Sequence, residues 1–186
     1  MKKMSLRARV LTGAVAAAAL SAGTFGAISA NAAAPAAPAA APAQTVDASD
    51  HNLRTTRHLT IDAATKAAQA ALKAAEKENQ RVTVAVVDRN GTTLVTLRGD
   101  GAGPQSYDSA IRKAFTAVSW NAPTSELAKR LQNAPNLKDI PGTLFLGGGA
   151  PVAADGAPIA GIGVAGAPSG DLDEKYAQAG VASLGK

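Results

Sequence analysis

From residue 60 onward the apolar positions of the chain fall into two alternating rhythms. Ile61, Ala64, Ala68, Ala71, Leu72 and Ala75 recur at helical spacing behind Thr60, a residue type that caps helices. Most of that face is alanine, so whatever packs on it must come close. Residues 82–87 (VTVAVV) form a β-branched run that reads as a strand. Asn90-Gly91 marks a hairpin, because both residue types tolerate positive φ, and residues 93–98 return as the partner strand. A loop holding Gly99, Gly101 and Gly103 leads to Ser106, the expected cap of a second helix with Tyr107, Ile111, Ala114, Phe115 and Val118 on one face. Pro123 and Thr124 open a shorter helix carrying Leu127 and Leu131. Residues 143–146 and 157–164 read as strands, with Gly147-Gly148-Gly149 and Asp155-Gly156 as turns around a short intervening segment. Ser169 or Asp171 caps a last helix through Leu172, Tyr176 and Ala179. Strands joined by tight turns pair antiparallel, so the pattern predicts a single small α+β domain over residues 59–186, with helices packed on an antiparallel sheet.

The first 58 residues follow another pattern. A basic start (Lys2, Lys3, Arg7, Arg9), an apolar alanine-rich run and Ala30-Asn31-Ala32 have the form of a secretory signal peptide, predicting residues 1–32 as a leader and an exported, extracellular product. Residues 33–58 read as an Ala/Pro-rich tether: Pro35, Pro38 and Pro42 favour extended chain, and the segment has too little apolar surface to form a core. Charge changes little in this picture. The net +5 of the 186 residues depends on those four N-terminal cations, without which 15 Lys and Arg face 14 Asp and Glu. A binder of nucleic acid needs a basic field, and none remains. The absence of cysteine excludes disulfides, thiolate nucleophiles and thiolate-ligated metals.

Three segments, VAVVDRNGTTLVTLRGDGA (84–102), SAIRKAFTAVSW (109–120) and GGGAPVAADGAPIAGIGVAGA (147–167), are collinear with and resemble the GlcG/HbpS family of haem-binding proteins. The resemblance covers essentially all of residues 59–186. It implies a profilin-like fold, a homo-oligomer (an octamer), haem and iron as ligands, slow haem degradation, and signalling of haem or redox stress to a membrane sensor histidine kinase. Other relatives are cobalamin-linked domains of the PduO type, so a corrinoid or small organic acid bound in the same groove, by an enzyme or an enzyme accessory, is the alternative. The resemblance also points to Thr116, in KAFT, as the contact to iron.

The residues themselves narrow the chemistry. Haem iron is usually held by His, Cys, Met or Tyr. Met1 and Met4 lie in the leader, which leaves His51, His58, Tyr107 and Tyr176 together with lysines and hydroxyls. His51 and His58 could contribute to a metal site or be solvated residues of the tether. In the second helix, Phe115 offers an apolar surface for a porphyrin, and Arg112 and Lys113 could meet its propionates. Thr116 could equally bond the preceding helical turn. Gly161 and Gly163 allow close backbone approach, by a flat ligand, a second subunit or neighbouring structure. Asp171 and Glu174, three apart on one helix face, could hold ferric iron or complement the helix dipole. No Ser/His/Asp set or pair of catalytic carboxylates stands out.

Overall fold

Alanine and glycine decide how closely the layers of this protein pack. The computed structural model describes residues 45–185. The predicted leader and residues 33–44 of the predicted tether lie outside them. Helix α1 (Ile61–Lys77) starts as expected, with Thr60 Oγ1 accepting from Ala63 N at 3.2 Å. Its buried face is Ala64, Ala67, Ala68, Ala71 and Ala75. Ile61 departs from the expected stripe and is 57% exposed. Across α1 lies α4 (Gly170–Ala182), capped by Ser169, and a Cβ on Gly180 would stand 2.9 Å from Ala67 O.

The hairpin of β1 (Thr83–Asp88) and β2 (Thr93–Arg98) turns differently from a two-residue Asn-Gly loop. Only Gly91 has positive φ, at +89°, and Asn90 does not. The Asp88 carboxylate accepts from Asn90 N (2.9 Å) and Thr92 N (2.8 Å), which organises a wider turn with a register shift at Val86/Val87. With β3 (Gly149–Ala154) and β4 (Ala157–Ala165) the sheet runs β2-β1-β4-β3, every neighbouring pair antiparallel. Val84, Val86, Ile162 and Val164 join the cluster formed with α1 and α4. Ala85 and Val87 point the other way, to α2 (Gln105–Trp120). There Gly161 and Gly163 have their use: a Cβ would lie 2.1 Å from Ala114 O or 2.0 Å from Ala110 O. The space left open for a flat ligand or a subunit in the sequence is filled by the backbone of α2.

Two other expectations are corrected. Ser106 does not cap α2; it sits within the first turn, donates to Gly103 O (2.6 Å) and pairs with Thr83 Oγ1 (2.7 Å), which ties the helix to β1. Residues 143–146 form no strand, since Thr143 O and Leu144 N are engaged by side chains of α2 rather than by a neighbouring strand. The short α3 (Thr124–Arg130) buries Leu127 as the pattern predicts. Within residues 48–58, read as tether and exposed throughout, Arg57 pairs with Asp155 and His58 lies beside Asp88. No helix among the described residues is long and apolar enough to cross a membrane.

Candidate functional site

Helix α2 presents alternate faces to scaffold and solvent, and the segment RKAFT divides between them. Arg112 is exposed, and its guanidinium donates to Thr143 O at 2.6 Å. Phe115 is half-buried between two glycine turns: a Cβ on Gly91 would meet its ring at 2.9 Å, and one on Gly142 at 3.6 Å. Both glycines have positive φ, so the turns that seat the ring depend on them twice over. Thr116 is fully buried; its hydroxyl donates to Arg112 O (2.7 Å) and accepts from Leu144 N (2.8 Å). The loop over residues 140–146 is therefore clasped to α2 at Arg112 and Thr116. Around this clasp Tyr107, Ile140 and Leu146 are exposed, on the helix and on the loop. Just behind it, Trp120 and Phe145 meet edge to face, ring centroids 5.2 Å apart.

Lys113 is elsewhere. It is 2% exposed, its ammonium bonded to Asp173 Oδ2 (2.7 Å) and Val164 O (3.1 Å). That charge faces α4 and β4 and is not free to meet a ligand's carboxylate, which corrects the expectation that it joins Arg112 in such a role. Burial pushes the Asp173 carboxyl above the ordinary carboxylate range, while the hydrogen bond from Lys113 pulls it down. The sequence offered one clue to this pair: Lys113 lies among Ala110, Ala114 and Ala117, a spacing that buries it and calls for a buried acid.

The other candidate ligands are not brought together. Glu174 accepts from Ser125 N (2.9 Å), Ser125 Oγ (2.6 Å) and Gly148 N (3.3 Å), fastening α4 to α3 and to the start of β3. Asp171, one helical turn before it, is exposed to solvent, so the two carboxylates do not converge on a cation. His51 lies in a 3₁₀ turn at Asp50–Asn52 beside Ser49. His58 contacts Thr56 Oγ1 (2.9 Å) and stands 3.9 Å from Asp88 Oδ2. Among the described residues no group of three or more His, Cys, Asp or Glu is placed to hold a metal ion. What sequence reasoning missed is the loop at 140–146, which no motif marked, and Asp173, overlooked between the two acids considered as ligands.

Comparison with known proteins gives this geometry relatives. A double mutant of HbpS from Streptomyces reticuli superposes with a TM-score of 0.76 and is 75% identical, covering 80% of this chain and all of its own. The PduOC:heme complex is 30% identical with a TM-score of 0.63, over 68% of this chain and 95% of that one. The corrinoid adenosyltransferase PduO of Salmonella typhimurium is 33% identical over 121 residues, which are 62% of this chain but 36% of PduO. The family model described as haem degrading protein HbpS-like matches residues 59–182, and the chain belongs to the HbpS-like family.

Proposed function

We propose that this domain binds haem on the exposed face of α2 and the adjoining loop at residues 140–146. The observation that carries the reading is the half-buried Phe115 beside the exposed Arg112, with Tyr107, Ile140 and Leu146 uncovered on the helix and the loop, in a chain whose relatives include HbpS and a haem complex. The residues fit haem in part. Phe115 and the exposed apolar side chains suit a porphyrin face, and Arg112 suits a propionate. Thr116 reaches a ligand only after Leu144 N–H leaves its oxygen, so contact from this hydroxyl requires the loop to lift and is readily lost. Lys113 takes no part. Haem, when bound, supplies its own iron chemistry toward peroxide or oxygen; this chain supplies the apolar face, the cation and the loop. The iron in this reading is that of haem, since Asp171, Glu174, His51 and His58 lie apart.

The face of α2 is open rather than enclosed, which favours a haem shared between copies of the chain in a homo-oligomer. The leader and Ala/Pro tether read from residues 1–58 support export and association with the cell surface, where a membrane sensor histidine kinase is the proposed listener. Hemin titration tests the reading. A Soret shift that weakens in Arg112→Ala and Phe115→Ala, with circular dichroism unchanged, supports it; titrations identical to those of the parent protein overturn the placement, and no Soret shift overturns haem binding. A corrinoid is the second reading, favoured by the match to PduO. Cobalamin that displaces hemin would show a shared surface.

A further inference from the structure

Arg57 and Arg89 line one cavity from separate segments, one in the strap before α1 and one in the β1–β2 turn. The strap lies against the tip of the β3–β4 hairpin, and between them is a cavity of about 200 Å³ lined by Thr55, Thr56, Arg57, Arg89, Asp155 and Ile159, among others. That is smaller than the ~300–1,000 Å³ typical of pockets for drug-sized ligands, so it suits a small ion.

Its charges are unequal. Arg57 pairs with Asp155, both side chains being largely exposed, at 68% and 75%, so the pair holds weakly. Arg89 makes no ion pair among the described residues. Its main chain is fixed, because Arg89 N donates to Ile159 O at 3.0 Å, so its side chain starts from a rigid base. The remaining acid on this side, Asp88, already accepts from Asn90 N and Thr92 N and faces His58. The hydroxyls of Thr55 and Thr56 add neutral polar groups on the strap side.

We propose that this seam is a small-oxyanion site, in which a tetrahedral phosphate-class anion bridges the guanidinium groups of Arg57 and Arg89 and fastens the strap to the hairpin. Two planar guanidinium forks from different elements match an anion with several acceptor oxygens better than a monocarboxylate. No residue of α2 or of the loop at 140–146 lines the site, and the proposal does not depend on haem.

The test uses the full chain, titrated with inorganic phosphate, sulfate and acetate at constant ionic strength set with chloride, and followed by backbone amide NMR. Phosphate and sulfate should shift the amides of residues 55–57 and 154–157 and slow hydrogen exchange in the strap. Arg89→Met, whose side chain makes no ion pair to lose, should weaken phosphate binding about tenfold, the loss expected for one charge-assisted hydrogen-bonding partner. Arg57→Gln should weaken it similarly. Absence of these shifts, shifts unaltered in Arg89→Met, or acetate binding as tightly as phosphate would each overturn the proposal.

Discussion

Replacing Asp173 by Asn removes one charge from the buried Lys113–Asp173 pair and little else. The amide keeps nearly the shape of the carboxylate, and its oxygen can still accept from Ala167 N, now 2.9 Å from Asp173 Oδ1. Lys113 would keep Val164 O at 3.1 Å as a partner, but its ammonium, 2% exposed, would have no counter-charge. Breaking a buried pair from one side costs about 3–5 kcal/mol, a large part of the ~5–15 kcal/mol that stabilises an ordinary domain. Urea unfolding followed by circular dichroism measures it, with the slope checked for constancy. Two controls make the reasoning specific. Asp155→Asn breaks the exposed pair with Arg57 and should cost about 0–1 kcal/mol. Lys113→Met combined with Asp173→Leu should recover most of the loss, because both charges leave together. A loss in Asp173→Asn no larger than in Asp155→Asn would refute the account of a buried, interdependent pair.

Other perturbations follow from contacts already described. Gly163→Ala places a methyl 2.0 Å from Ala110 O on the helix backbone, so its cost should exceed the ~1–3 kcal/mol of ordinary overpacking, read as a lowered Tm or loss of folded protein. Thr116→Val leaves Leu144 N–H without its acceptor and should cost about 1–3 kcal/mol, with faster amide exchange at Leu144 marking release of the loop. Burial and the Glu78 carboxylate push the Tyr176 phenol up to about 12, so in a Tyr107→Phe variant the tyrosinate absorbance should rise near that pH. As the folded phenol keeps its proton above the value of an unfolded tyrosine, stability should decline between roughly pH 10 and 12. Glu78 has the opposite sign: hydrogen bonds from Lys175 and Tyr176 hold its carboxyl below the ordinary range, so its contribution is lost as pH falls through that lowered value, and Glu78→Gln should flatten the acid limb.

The elements were legible where a local rule agrees with its tertiary setting. Thr60 and Ser169 cap as their chemistry dictates, and the β-branched residues at 82–87 make a central strand. The departures arise from partners remote in sequence. Ser106 has a cap's chemistry, but Thr83, 23 residues away, draws its hydroxyl to the sheet. Residues 143–146 have strand composition, yet their backbone groups meet Arg112 and Thr116 instead of a strand. At the site, helical spacing located Phe115 but did not divide Arg112 from its neighbour Lys113. Adjacent helical residues point about 100° apart, and only the positions of β4 and α4 decide which one is buried.

That division limits what α2 can contribute to a ligand. Ala110, Ala114 and Ala117 are closed against the core, with Gly161 and Gly163 opposite the first two, and Lys113 is engaged by α4. The helix can neither rotate nor retreat without burying a methyl in backbone or separating the charge pair. Any accommodation must therefore come from the loop at residues 140–146, which is tied to α2 by two hydrogen bonds, Arg112 to Thr143 O and Leu144 N to Thr116, and by the contact of Phe145 with Trp120. Neutral and singly charged hydrogen bonds contribute about 0.5–3 kcal/mol each, far less than repacking the glycine seam, so the loop yields first. A rigid helix opposed by a loop that gives at its two hydrogen bonds admits a broad flat molecule by moving one side alone. Amide exchange in the presence of hemin should accordingly change across residues 140–146 and remain unchanged in β4; equal changes in both would show that the helix, and not the loop, gives way.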